Sequence, residues 1–168
     1  MDDRNLLRIA AVMGVAGGAL RVADALLTGH FTGAKLEPVY FLTDVFFLGG
    51  LLGLYLPRRA ALGWAGLASF AATAIGFLFI RSASLFGGVG YTVGAPIVLF
   101  GTTALGALLA INGSQRVAAG IWLAAVAVAI TGTCCMPQVR EFDAAGILYG
   151  LGFMAAGFAL PRESRKPA

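Results

Sequence analysis

Arg21, Asp24 and Asp44 are charged residues that lie inside the first two apolar stretches of this 168-residue chain. Ionisable groups in hydrocarbon are costly, and they usually face a partner or a water-filled cavity. Arg21 and Asp24 are three residues apart, so they share one face of a helix. Because one guanidinium faces two carboxylates, the pattern predicts an ion pair and leaves one acid without an evident partner in the membrane.

This cluster has two interpretations. In the first it is structural: Arg21 neutralises Asp24 or Asp44 and joins the first apolar stretch to the second. In the second it is a polar pocket or proton-handling site that opens at the outer face, with Glu37 and Tyr40 beside it. The candidate ligand or ion-pair cluster therefore comprises Arg21, Asp24, Glu37, Tyr40 and Asp44.

Further polar residues are expected at the same outer level, namely His30, Arg81, Arg140, Glu141 and Asp143. Cys134, Cys135 and Met136 close the fifth apolar stretch there. The spacing of these residues matches no zinc site. Their soft sulfur atoms would suit Cu(I), and they are only weak candidates for such a site. Adjacent cysteines also fit disulfide geometry poorly, so we expect free thiols. We therefore predict no metal site and no cofactor.

The elements that must position these residues are apolar and long. Hydrophobic residues make up 59% of the chain and charged residues 12%, about half the charge of a soluble domain. About 20 apolar residues span a bilayer core. Six such stretches are present: Leu6–Leu27, Val39–Leu56, Ala61–Ile80, Val93–Ile111, Val117–Thr133 and Ala144–Leu160.

Helices are expected because a membrane-spanning segment must satisfy its own backbone hydrogen bonds. Two joints are very short, 57–59 and 112–116, and short joints make neighbouring helices antiparallel. The predicted fold is an all-α bundle of six transmembrane helices in three antiparallel hairpins, forming one domain over residues 1–168. Small residues should form the helix contacts: Gly14 and Gly18, Gly49 and Gly53, and Gly146, Gly150 and Gly157.

The distribution of Arg and Lys predicts the orientation. With both termini cytoplasmic, eight basic residues lie inside and three outside; Arg21, within the membrane, completes the total of 12. The pattern favours an integral protein of a bacterial inner membrane, with both termini cytoplasmic. The net charge is +4, but the basic residues are not clustered on one face with aromatic residues between them. No nucleic-acid partner is therefore predicted.

The sequence contains no P-loop, no G-x-S-x-G and no H-E-x-x-H motif. The favoured hypothesis is a non-catalytic subunit or partner-binding component of a membrane complex, assembled with other membrane subunits or as a homo-oligomer within the lipid bilayer. The first alternative is a small transporter or ligand-binding protein that uses Arg21, Asp24 and Asp44. The second is a lipid- or isoprenoid-modifying enzyme with Asp44 or Glu37 as acid or base.

Overall fold

The computed structural model describes residues 3–27, 37–82, 89–135 and 141–163, and these segments contain helices and no strand. Five predicted apolar stretches each lie within one helix, and the stretch at 39–56 passes the end of its helix by one residue. The helices are α1 Asp3–Leu27, α2 Glu37–Tyr55, α3 Arg59–Arg81, α4 Val89–Ile111, α5 Arg116–Cys135 and α6 Glu141–Glu163.

Four segments of the described chain are long and apolar enough to cross a membrane, and Arg116–Gly132 is a shorter apolar helix. The prediction of an all-helical protein with membrane-spanning helices is therefore confirmed. Length and composition do not establish six separate spans, because α2 and α3 form one 45-residue segment. The four segments are Asn5–Leu26, Glu37–Arg81, Val89–Ile111 and Ala144–Pro161.

The 45-residue segment is interrupted at two places. The 3-10 turn Leu56–Arg58 joins α2 to α3, and it contains Pro57, which cannot continue an α-helical hydrogen-bond ladder. Gly63 has φ 55° and ψ −149°, a conformation that side-chain-bearing residues rarely adopt. A Cβ at Gly63 would meet nothing within 4 Å, so backbone conformation rather than crowding explains glycine here.

The helices contact one another in chain order, and α1 also packs against α6. The core contains Leu51, Leu105, Trp122 and Phe153, all with no exposed surface. The rings of Phe153 and Phe47 lie 4.3 Å apart, and the rings of Phe153 and Trp122 5.2 Å apart. Aromatic contacts therefore join α2, α5 and α6 at the centre of the bundle.

Close approach of α1 and α6 depends on glycine. A Cβ on Gly150 would lie 2.7 Å from the carbonyl oxygen of Gly18, and one on Gly157 would lie 2.7 Å from the carbonyl oxygen of Ala11. Helices in lipid associate through such close dispersion contacts, since lipid offers no hydrophobic drive. The predicted role of small residues as helix contacts is confirmed for these positions.

We expect Gly150→Ala to lower the unfolding midpoint in detergent, because the new methyl group overlaps the α1 backbone. Overpacking of this kind costs about 1–3 kcal/mol. Gly120→Ala is the matched control, since a Cβ there meets nothing within 4 Å. The control should keep or raise the midpoint, because alanine favours helix. Equal midpoints for the two variants would show that α1 and α6 do not pack this closely.

Candidate functional site

Arg21 and Arg81 pair with carboxylates at one end of the described bundle. Arg21 Nη1 lies 2.5 Å from Asp24 Oδ2 within α1, and the Asp24 side chain is only 10% exposed. Arg81, the last residue of α3, donates from Nε to the Asp44 carboxylate of α2. Its Nη1 also lies 3.5 Å from Glu37 Oε2. The second pair therefore connects α2 with α3.

The pairing corrects one sequence-based expectation. Arg21 was predicted to neutralise Asp24 or Asp44 and to leave one acid without an evident partner in the membrane; Arg21 pairs with Asp24, and Asp44 pairs with Arg81. The ion pair that joins two helices thus connects α2 to α3 rather than α1 to α2. A sequence signal for this existed: Arg81 directly follows the third apolar stretch, and Asp44 lies in the first turns of the second, near the same end of the bundle.

Helix α6 leaves room for the Arg21 guanidinium. A Cβ on Gly146 would lie 2.6 Å from Arg21 Nη2 and 3.0 Å from Arg21 Cζ. Any larger residue at this position would push the guanidinium away from α6. Gly146 therefore has a role that differs from the helix contacts of Gly150 and Gly157, because it accommodates a side chain that belongs to the site.

The ion pairs form one wall of a cavity of about 740 Å³. This volume lies within the range of small-molecule sites, roughly 300–1,000 Å³. Every helix contributes to the lining: Arg21, Asp24, Glu37, Tyr40, Thr43, Asp44, Phe47, Phe77, Ile80, Arg81, Tyr91, Ala95, Pro96, Val98, Leu99, Phe100, Ala129, Ile130, Ala145, Gly146 and Tyr149. The charged groups come from α1, α2 and α3, whereas the lining from α4, α5 and α6 is largely apolar.

Tyr149 forms part of the cavity wall near the core. Its hydroxyl shares a 2.9 Å hydrogen bond with Thr102 Oγ1, and Trp122 Nε1 donates to its carbonyl oxygen at 3.3 Å. These bonds satisfy polar groups that are buried among aromatic rings. Sequence reasoning missed Tyr149 as part of the site; the available signal was its hydrogen-bonding side chain inside an otherwise apolar stretch.

The structure brings the predicted cluster together: Arg21, Asp24, Glu37, Tyr40 and Asp44 all line the cavity. Arg81, predicted as an outer-face residue, belongs to the same wall. The remaining predicted residues are not placed as site side chains. Cys134, Cys135, Glu141 and Asp143 lie at helix ends where only the backbone is described, and His30, Met136 and Arg140 lie outside the described residues.

The geometry and fold define a helical protein with four segments long and apolar enough to cross a membrane and with an amphipathic cavity, charged on one wall and largely apolar on the others. No family model, curated protein or solved structure matches the chain. Within the described segments, no three His, Cys, Asp or Glu residues are grouped as a metal site would require. The chemistry available at the cavity wall is therefore that of paired guanidinium and carboxylate groups.

The two ion pairs predict a specific pattern of rescue. Arg21→Leu and Arg81→Leu should each lower stability by about 1–3 kcal/mol, because each removes the guanidinium partner of a poorly exposed carboxylate. Asp24→Leu should restore much of the loss in the Arg21→Leu protein, and Asp44→Leu should do so in the Arg81→Leu protein. Unfolding midpoints in detergent measure both effects.

The exchanged combinations are the controls. Arg21→Leu with Asp44→Leu, and Arg81→Leu with Asp24→Leu, should show no rescue, because each breaks both pairs. Equal rescue by either aspartate substitution would mean that the four charges form one shared network, contrary to the pairing described above.

Proposed function

We propose that this protein binds a small amphiphilic ligand within the membrane. The supporting observation is the cavity itself: about 740 Å³ of space with two ion pairs on one wall and mainly apolar side chains on the others. An amphiphile matches this division, since its polar head can meet the charged wall while its apolar part contacts Phe47, Phe77 and Leu99.

Binding is favoured over transport because the space lies in one half of the bundle. The opposite half is filled by Leu54, Leu109 and Leu160, whose exposed fractions are at most 1%. A ligand therefore has a site but no continuous path between the two ends. The alternative of a lipid- or isoprenoid-modifying enzyme is less favoured, because both of its candidate acids, Asp44 and Glu37, contact Arg81.

For the membrane setting, we propose six spans in three antiparallel hairpins. Contacts between consecutive helices support this arrangement. The part of α3 after Gly63 is about 27 Å long and the 20-residue α5 about 30 Å, close to the thickness of a bilayer core. Arg and Lys are more numerous at the end of the bundle opposite the cavity. This excess supports cytoplasmic termini in a bacterial inner membrane and, with them, a cavity near the outer face.

A second candidate is the non-catalytic subunit of a membrane complex. The observation in its favour is the outward face of α5, where the small residues Ala124, Ala127 and Thr131 are exposed. Small residues of this kind hold α1 against α6, so this face fits a helix of another subunit or of a second copy. A ligand-binding role and a subunit role are compatible, since the cavity and this face are separate.

The proposed binding function predicts that filling the cavity removes the ligand. Ala95 lines the cavity from α4, whereas Ala107 on the same helix is exposed on the outside of the bundle. Native mass spectrometry of protein purified in mild detergent should show a stoichiometric small-molecule adduct for the wild type and for Ala107→Phe. Ala95→Phe should lack this adduct. Its unfolding midpoint should lie within a few degrees of the midpoint of Ala107→Phe.

An adduct that persists in Ala95→Phe, or a wild type without any adduct, would contradict binding in this cavity. The same spectra report the number of chains per particle. A monomer without any other protein attached would count against the subunit candidate and would leave the binding function intact.

A further inference from the structure

We infer that the ligand of this cavity is a lipophilic organic cation. The inference rests on the binding function proposed above and specifies the chemical class of the ligand. Three properties of the cavity lead to it: the balance of charge on its wall, the state of its two guanidinium groups, and the aromatic side chains around it.

The described charged residues of the lining carry an excess of negative charge. Asp24, Glu37 and Asp44 contribute three carboxylates, and Arg21 and Arg81 contribute two guanidinium groups. With all five ionised, the wall has a formal charge of −1. A monocation would neutralise this wall, whereas a monoanion would double its charge.

Both guanidinium groups are already engaged by carboxylates of the protein. Arg21 contacts Asp24, and Arg81 lies between Asp44 and Glu37. An anionic head group would add a further negative charge beside guanidinium groups that already face carboxylates, and no other cation is present in the described lining to offset it. A cation instead offsets the excess negative charge, and a carboxylate can accept from more than one donor.

Aromatic side chains supply the complementary surface. The lining contains six of them: Tyr40, Phe47, Phe77, Tyr91, Phe100 and Tyr149. Aromatic faces attract cations, most strongly where water is excluded. The site already holds one such contact, with Arg81 Cζ 5.9 Å from the centre of the Tyr40 ring. A cation with bulky apolar substituents can therefore satisfy the charged wall and the aromatic walls together.

The test compares three probes of similar shape that differ in charge: tetraphenylphosphonium, tetraphenylborate and neutral triphenylphosphine oxide. Equilibrium dialysis against the detergent-solubilised full chain measures binding, and Ala95→Phe protein gives the background from partition into micelles. We expect one tetraphenylphosphonium per chain, with a Kd at least about tenfold below that of either other probe. Higher salt should weaken this binding.

Glu37 provides a variant that should not disturb folding, because its side chain is 73% exposed. Glu37→Gln removes the excess negative charge and should raise the Kd for tetraphenylphosphonium by about two- to fivefold, the size expected for an exposed charge. Glu37→Asp keeps the charge and should remain near the wild-type Kd. The two variants should bind the neutral probe equally.

A contrary outcome is that tetraphenylborate or triphenylphosphine oxide binds as tightly as the cation and loses this binding in Ala95→Phe. That result would overturn the cation assignment, and it would support a site for amphiphiles. The cation assignment would also be overturned if none of the three probes showed binding that the Ala95→Phe substitution removes. The adduct seen by native mass spectrometry decides the underlying binding function separately, because that measurement does not depend on the charge of any added probe.

Discussion

A carboxylate near hydrocarbon must have a partner, and this constraint organises one end of the molecule. Asp24 and Asp44 have side chains that are only 10% and 14% exposed, so neither can rely on water alone. Arg21 satisfies the first within α1, and Arg81 satisfies the second from α3. The second pair also joins the start of α2 to the end of α3.

The same constraint explains why the bundle is closely packed in one half and open in the other. Glycines bring α1 and α6 together at Gly18 and Gly150, where backbone atoms would meet any added side chain. One turn before Gly150 in α6, Gly146 instead accommodates the guanidinium of Arg21. From that level outward, charged and aromatic side chains surround a cavity, because paired charges need space and partners that a packed apolar core does not provide.

Much of this arrangement was predictable from composition and spacing. The positions of the helices follow from apolar length, and the grouping of Arg21, Asp24 and Asp44 follows from their depth along helices that enter from one side. The partner of Asp44 was not predicted, because Arg81 lies 37 residues later in the chain, beyond the turn that joins α2 to α3. The short joint predicted at 57–59 lies at the 3-10 turn Leu56–Arg58, where α2 ends and α3 begins. The contributions of Phe47 and Tyr149 to the cavity depend on tertiary packing, which spacing alone does not specify.

The most direct measurement asks whether the cavity is open to water at the outer face. In a protein with Cys134→Ser and Cys135→Ser, a cysteine replaces either Leu99, which lines the cavity, or Leu105, which is fully buried on the same helix. A membrane-impermeant trimethylammonium thiol reagent is then added to intact cells. Leu99→Cys should be modified from outside, and Leu105→Cys should stay unmodified until the protein is denatured. Equal protection of both cysteines, or modification of Leu99→Cys only from the cytoplasmic side, would contradict a binding cavity that opens outward.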